Sequence, residues 1–117
     1  MSMGISTHIL DTALGRPVSN VALKLFEFRD NPTGGNWHEI GSGRTDADGR
    51  CKTLIGSNPL RATDYKLYFA TSEYFDSQKL PGLYPYVEIV FTIADPTQHY
   101  HIPLLLTANG YTTYRGS

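Results

Sequence analysis

The sequence predicts an all-β fold, a β-sandwich or a small barrel with one short helix, and two observations lead to this class. The apolar segments are rich in aromatic and β-branched residues that alternate with polar ones at a period of two, which is typical of strands with one buried face. Seven or eight such segments follow one another at roughly even spacing, as in sandwiches and small barrels. With 117 residues, 40% of them hydrophobic, the chain is predicted to form one domain, residues 1–117.

The alternation places the predicted strands in chain order. If Ser6–Asp11 is extended, His8 and Leu10 lie on one face of it. In Val21–Phe26, aliphatic residues at every second position predict a strand with a buried face. Four further segments alternate or have strand-like composition: Tyr65–Phe69, Tyr86–Ile93, His99–Leu106 and Tyr111–Arg115.

Three segments are interpreted as turns or loops between these strands. Asn109-Gly110, between the last two predicted strands, is a strong signal for a hairpin. Asp46–Gly49 predicts another turn, in which the glycine supplies a positive φ. Asn31–Trp37 contains one proline and two glycines and is predicted to be a mobile hairpin loop.

One segment, Thr71–Lys79, is predicted to be helical. Thr71 or Ser72 is expected to cap its first turn, because a hydroxyl can accept a hydrogen bond from a free backbone N–H there. Glu73 falls in the first turn, where the helix dipole favours a carboxylate. The helix is therefore expected to be about two turns long.

Charge and cysteine content exclude several classes of protein. A net charge of −1 argues against binding to nucleic acid or to a membrane surface, since both require a strong positive field. The single Cys51 cannot form an internal disulfide, and no apolar stretch approaches the roughly 20 residues of a membrane span. The expected location is the cytoplasm, or the periplasm if a leader has been removed.

Three of the four histidines lie on predicted strands, where apolar residues would be more usual. His99 and His101 share one face of a strand, and His8 lies on the first strand. Each can be half-exposed or hydrogen-bonded to the backbone. Alternatively, the three are zinc ligands with an open fourth position, although no Cys, Asp or Glu with ligand spacing accompanies them. His38, next to Trp37, is expected to be exposed.

Two residues that follow the Asp46–Gly49 turn also have alternative interpretations. Arg50 is either a solvated residue at the start of a strand or a rigid fork for an anion or a planar imide. Cys51 is either a nucleophile or a structural thiol, and the absence of an obvious base nearby in the sequence favours the structural thiol.

Five motifs occur in an order that resembles the 5-hydroxyisourate hydrolases, the transthyretin-related enzymes of uric acid breakdown. The motifs are Ser6-Thr-His-Ile-Leu-Asp11, Asp48-Gly-Arg50, Tyr84-Pro-Tyr-Val-Glu-Ile89, His99-Tyr-His-Ile-Pro-Leu-Leu-Leu106 and the terminal Tyr114-Arg-Gly-Ser117. The resemblance extends from Ser6 to Ser117. It implies a transthyretin-like sandwich of two four-stranded sheets, a short helix between the fifth and sixth strands, and a homotetramer built as a dimer of dimers.

The resemblance also implies an activity and the residues that perform it. The family opens the six-membered ring of 5-hydroxyisourate at the N1–C6 amide and yields 2-oxo-4-hydroxy-4-carboxy-5-ureidoimidazoline. By similarity, His8, Arg50, His101 and Ser117 have catalytic roles, and His8, Arg50 and Tyr114 bind the substrate. No metal and no cofactor are expected.

Within this mechanism, His8 is expected to be the base that activates water, with His101 orienting or assisting it. Arg50 binds the substrate and stabilises the developing negative charge. Ser117 either positions water or substrate through its hydroxyl or orients Arg115 through the terminal carboxylate. For His99 a structural role is expected.

A non-catalytic carrier of a small aromatic ligand is the alternative, because the carrier transthyretin has the same fold. That protein has no terminal Tyr-Arg-Gly-Ser, and it lacks the residues that correspond to His8, Arg50 and His101. A structural module that binds partners through an edge strand explains neither the histidines nor the tail. The sequence therefore favours the hydrolase.

Overall fold

A computed structural model describes residues 4–52, 54 and 59–116 of the chain. The strands and the helix are, in chain order, β1 (Gly4–Asp11), β2 (Arg16–Pro17), β3 (Ala22–Asn31), β4 (Gly34–Arg44), β5 (Asp64–Phe69), α1 (Thr71–Ser77), β6 (Val87–Thr92), β7 (His99–Thr107) and β8 (Gly110–Thr113). In the described ranges, no helix is long and apolar enough to span a bilayer.

The strands form two four-stranded sheets, so the predicted sandwich is confirmed and the barrel alternative is wrong. One sheet has the order β2-β1-β7-β8 and the other the order β4-β3-β5-β6. Strands β1 and β7 pair in parallel, whereas the other pairs within the sheets are antiparallel. The short helix lies between the fifth and sixth strands, as the resemblance implied.

Alternate residues of the strands form the core between the sheets, as the period-two pattern predicted. Leu23 and Leu25 of β3, Leu67 of β5 and Leu104 of β7 are at most 1% exposed. Burying such side chains stabilises the fold by roughly 1.5–3 kcal/mol each. The opposite faces of β1 and β7 are left to carry polar residues, and the histidines lie there.

The predicted cap of the helix is wrong. Ala70 occupies the N-cap position and makes no side-chain capping bond, while its N–H donates to the carbonyl of Ala22 in β3. This pairing extends the β3–β5 ladder by one residue, so the helix begins directly after it and Thr71 is buried. The helix ends at Ser77, two residues earlier than predicted, and Lys79 follows with a φ of 56°. Glu73 lies in the first turn as expected.

The hairpin predicted at Asn31–Trp37 is confirmed, but its loop is shorter than predicted. Strand β3 continues to Asn31 and β4 begins at Gly34, so only two residues connect them. The Asn31 side chain accepts hydrogen bonds from the N–H and the hydroxyl of Thr33, at 3.0 and 2.8 Å, which closes the turn. Trp37 packs edge-to-face on Phe28 across the two strands, with ring centroids 5.3 Å apart.

Candidate active site

The three strand histidines lie on the outward face of the β2-β1-β7-β8 sheet. On β7, Tyr100 and Ile102 are buried, and His99 and His101 therefore point to the opposite face. The parallel register sets Ser6 of β1 beside His101. The same register sets His8 beside Pro103, which is two residues from His101. His8 and His101 are therefore diagonal neighbours on adjacent strands, a relation that brings residues to about 7–8 Å of each other.

Arg50 reaches this face through the turn that the sequence predicted. The Asp46 carboxylate accepts hydrogen bonds from the N–H groups of Asp48 and Arg50, at 2.9 and 3.1 Å. Arg50 then forms an isolated antiparallel bridge with His8, at the edge of β1. Residues opposite each other in an antiparallel pair share a face, so Arg50 lies on the face that carries His8.

Glycine is required at the last position of this turn. Gly49 has a φ of 78°, and its carbonyl accepts a hydrogen bond from the N–H of Ile9 at 2.9 Å. A Cβ at this position would lie 2.5 Å from the carbonyl oxygen of Ile9 and 3.2 Å from Cδ2 of His8. The turn therefore fixes Arg50 against β1 only because residue 49 has no side chain.

The Asp46 carboxylate is held in its charged form. The hydrogen bond from the backbone N–H of Arg50 contributes most to lowering its pKa. Desolvation opposes this effect, and the hydrogen bond from Asp48 and the charges of Lys52 and Arg50 add to the lowering, so the net shift is downward. The carboxylate is thus ionised at neutral pH and keeps accepting both N–H groups.

The tail after β8 continues the register of the β7–β8 hairpin. Leu104 pairs with Thr113, and His101 forms an isolated bridge with Gly116, whose N–H donates to the His101 carbonyl at 2.7 Å. The same register puts Tyr114 opposite Pro103, on the face that carries His8 and His101. Strand β8 itself ends at Thr113, earlier than the predicted Arg115.

The side chain of Arg115 also holds this tail in place. Its guanidinium lies 4.2 Å from the centre of the Tyr100 ring and donates to the side-chain oxygen of Gln98 at 3.0 Å and to the carbonyl of His99 at 3.3 Å. These contacts hold the backbone of Gly116 against His101.

Tyr114, which the resemblance assigned to substrate binding, is not placed in contact with the histidines. Tyr114 is 53% exposed and lines a groove of about 210 Å³ with Val90 and other residues of β6 and β7. Within the described part of the chain, no hydrogen bond or ring contact joins Tyr114 to His8 or His101. Ser117 lies outside the described residues.

His101 is suited to accept a proton near neutral pH. Its partial burial, followed by the charges of Arg50, His8 and His99, lowers the pKa of its imidazole below the ordinary value of 6.5. The ring is therefore mainly neutral at pH 7 and has a free lone pair on one nitrogen.

A serine connects two of the histidines. The Oγ atom of Ser6 is 2.7 Å from Nδ1 of His101 and 2.8 Å from Nε2 of His99. Sequence reasoning missed Ser6, which is two residues before His8 on the same face of β1. The parallel pairing of β1 with β7, which is not visible in the sequence, is what brings it to the histidines.

Among the described residues, the site has a guanidinium without a carboxylate partner. In residues 4–52 and 59–116, no Asp or Glu lies within ion-pair distance of the Arg50 guanidinium, and no three His, Cys, Asp or Glu residues form a cluster with metal-binding geometry. The geometry therefore does not support zinc ligation by the three histidines. An unpaired guanidinium beside two imidazoles suits a planar, oxygen-rich or anionic ligand.

The two other candidates from the sequence are clearly placed. Cys51 is 8% exposed and belongs to the hydrophobic core, which supports its interpretation as a structural thiol. His38 is exposed on β4, in the other sheet, and takes no part in the cluster.

Comparisons with known proteins agree with this arrangement. The model of the HIUase/transthyretin family matches residues 5–116. A 5-hydroxyisourate hydrolase of Mus musculus is 42% identical over 116 residues, which cover 99% of this chain and 97% of the mouse protein.

Two solved structures share the fold. The structure of the Klebsiella pneumoniae 5-hydroxyisourate hydrolase is matched with a TM-score of 0.79 and 32% identity, over 99% of this chain and 100% of that one. A sea bream transthyretin in complex with thyroxine is matched with a TM-score of 0.84 and 32% identity, over 96% and 93% of the two chains. Because both structures match closely, the backbone alone does not distinguish a hydrolase from a carrier, and the side chains of the site must do so.

Proposed function

This chain belongs to the HIUase/transthyretin family, and from its site we propose that it hydrolyses 5-hydroxyisourate with His8, Arg50 and His101 as the reacting and binding groups. The observation that supports the proposal is the meeting of these three side chains on one sheet face, from three separate segments of the chain. A carrier site for an apolar aromatic ligand would be lined by apolar and aromatic groups instead.

The reaction is the addition of water to a cyclic amide. The water oxygen bonds to C6, the C6–N1 bond breaks, and N1 leaves with a proton, which yields 2-oxo-4-hydroxy-4-carboxy-5-ureidoimidazoline. The enzyme must therefore remove a proton from water, stabilise negative charge on the C6 oxygen and return a proton to N1.

We assign the proton transfers to His101. Its lowered pKa keeps the imidazole neutral, and the hydrogen bond between Nδ1 and Ser6 leaves Nε2 for the water and then for N1. The sequence suggested His8 as base with His101 assisting, but the contacts of His101 favour the reverse. His8 pairs with Pro103 of β7 on one side and with Arg50 on the other. It is proposed to orient the substrate and the attacking water.

Arg50 is proposed to bind the ring carbonyls and to stabilise the charge that develops on the C6 oxygen. A guanidinium offers parallel N–H donors that match two oxygens of a planar ring, and it stays charged throughout the reaction. The rigid turn before it places these donors before the substrate arrives, so little reorganisation accompanies the transition state.

The tail is proposed to complete the pocket. Tyr114 lines it with the ring and donates a hydrogen bond from its hydroxyl. Ser117 contributes through its hydroxyl or through the terminal carboxylate.

We further propose that the chain, as one domain of residues 1–117, acts as a homotetramer built as a dimer of dimers. The edge strands β6 and β8 support this assembly because the residues on and beside them are unusually exposed, with Val90 at 57% and Tyr111 at 40%. Pairing of such edges between copies removes their unpaired backbone groups from solvent. The proposed compartment is the cytoplasm, or the periplasm if a leader is removed.

The test is hydrolysis of 5-hydroxyisourate generated in place from urate by uricase and followed by its near-ultraviolet absorbance. The wild-type protein is expected to speed the decay in proportion to its concentration. Decay at the spontaneous rate with folded protein present would contradict the proposal and would favour the carrier, which a binding measurement with an aromatic ligand would then test.

A further inference from the structure

We propose that Ser6 and His99 are positioning residues that hold His101 in the tautomer with its proton on Nδ1 and a bare Nε2. The catalytic consequence rests on the proposed hydrolase function, whereas the tautomer is a property of the free protein. Ser6 and His99 need not touch the substrate in this role.

The three side chains form one hydrogen-bonded row across β1 and β7. Ser6 is directly opposite His101 in the parallel register, and His99 is opposite Gly4. Since Gly4 has no side chain, nothing on β1 separates the His99 ring from Ser6. The hydroxyl oxygen thus lies 2.7 Å from Nδ1 of His101 and 2.8 Å from Nε2 of His99.

A single proton on the hydroxyl couples the two rings. Ser6 can donate to only one imidazole and must accept from the other. If it donates to Nε2 of His99, then Nδ1 of His101 carries a proton and Nε2 of His101 is free. If it donates to Nδ1 of His101 instead, Nε2 of His101 carries the proton and cannot act as a base.

The surroundings of His101 and the chemistry of proton uptake favour the first arrangement. Among the described residues, the charged or titratable groups that act on the ring are His8 from β1, Arg50 from the segment after the turn and His99 from β7, and none of them is a carboxylate. The Ser6 oxygen is therefore the acceptor available to Nδ1–H. When Nε2 takes a proton from water, Nδ1–H keeps its hydrogen bond to Ser6, and no side chain has to turn.

The first test is imidazole nitrogen NMR of the ligand-free, ¹⁵N-labelled protein at a pH where His101 is neutral, with His101 assigned by substitution. The wild type is expected to show a protonated Nδ1 and a bare Nε2 at His101. Ser6→Ala is expected to give a mixture of tautomers, and Ser6→Thr, which keeps the hydroxyl, to restore the single form. A protonated Nε2 in the wild type, or an unchanged tautomer in Ser6→Ala, would overturn the proposal.

The second test is turnover of 5-hydroxyisourate by the same variants. A hydrogen bond to an imidazolium that forms in the transition state predicts a loss of kcat of about tenfold to a hundredfold in Ser6→Ala, with KM nearly unchanged. His99→Ala is expected to lose less, and Ser6→Thr to recover most of the rate. Ser42→Ala, an exposed serine on β4 of the other sheet, is the matched control and should behave as wild type.

The outcomes separate the two proposals. If the wild type hydrolyses the substrate and Ser6→Ala keeps the full kcat, the proposed positioning role is contradicted while the proposed hydrolase function stands. A wild type without hydrolysis would end the proposed function, and the NMR experiment would still decide whether Ser6 and His99 control the tautomer of His101.

Discussion

At the scale of single residues, the unusual feature of this sheet face is the Arg50 guanidinium, which pairs with no carboxylate of the described part of the chain. Arg50 is exposed, and Asp46 bonds its backbone rather than pairing with its charge. The side chain therefore contributes little to folding and remains available to a ligand. The two histidines differ in their surroundings: His101 is partly buried and hydrogen-bonded, whereas His38 is exposed.

Arg50→Lys keeps the charge but removes the planar pair of donors. We expect kcat/KM for 5-hydroxyisourate to fall roughly a hundredfold, since loss of a single oxyanion donor commonly costs 10²–10³ in rate. The melting temperature should stay within error, because the side chain is exposed. Turnover close to wild type in Arg50→Lys would mean that charge alone suffices and that the fork has no role.

The lowered pKa of His101 predicts the acid side of the pH profile. Burial and the neighbouring positive charges disfavour the imidazolium, so the neutral base persists below the ordinary histidine value of 6.5. Log kcat/KM should be level near neutral pH and fall only at a pH below the ordinary histidine value, where His101 becomes protonated. A fall that begins above pH 7 would contradict His101 as the base.

At the scale of elements, the tail after β8 packs closely against β7 because residue 116 is a glycine. A Cβ on Gly116 would lie 2.6 Å from Cδ2 of His101, so either the ring or the tail must move. By contrast, a Cβ on Gly110 in the hairpin would meet only the Thr107 hydroxyl at 3.9 Å. A side chain at residue 116 would therefore crowd the site, whereas a side chain at residue 110 would not.

Gly116→Ala is expected to lower kcat at least tenfold, because shifts of about an ångström in catalytic groups cost rates of this order or more. The free energy of unfolding should change little, since the residue lies in the tail beyond β8 and outside the hydrophobic core. Gly110→Ala is the control and should retain wild-type turnover in the same uricase-coupled assay. Equal activity of the two variants would show that the tail does not position His101.

The elements show which parts of the molecule follow from local sequence. Alternation in Val21–Phe26 and Tyr86–Ile93 predicted the core strands because burial on one face leaves a local pattern. The helix cap was wrong because a long-range bond from Ala70 to Ala22 sets the start of α1. The hairpin loop predicted at Asn31–Trp37 was too long, because pairing with β3 continues β4 into residues whose composition alone favours a loop.

For the site, the unusual polar residues His8, Arg50 and His101 were visible in the sequence, but their meeting was not. The parallel pairing of β1 with β7 brings together residues more than ninety positions apart, such as Ser6 and His101. Ser6 was missed for this reason, since a serine on a half-buried strand carries no local signal.

At the scale of the whole molecule, one face of the sandwich is the proposed catalytic site, and the edge strands β6 and β8 are the proposed surfaces for assembly. The proposed homotetramer predicts a particle of four 13.0 kDa chains in light scattering coupled to size exclusion, stable on dilution into the micromolar range. A particle with the mass of one chain at these concentrations would contradict the assembly. Activity of that monomer would also show that each site is complete within a single chain.

The proposal that the histidine face of the β1–β7 sheet is the catalytic centre is tested most directly by comparing two histidine substitutions. His101→Ala removes the proposed base, and His38→Ala removes the exposed histidine on the other sheet. We expect kcat/KM for 5-hydroxyisourate to fall by about 10²–10⁴ in His101→Ala and to stay unchanged in His38→Ala, with both variants folded. Near-wild-type turnover in His101→Ala would place the chemistry elsewhere in the molecule.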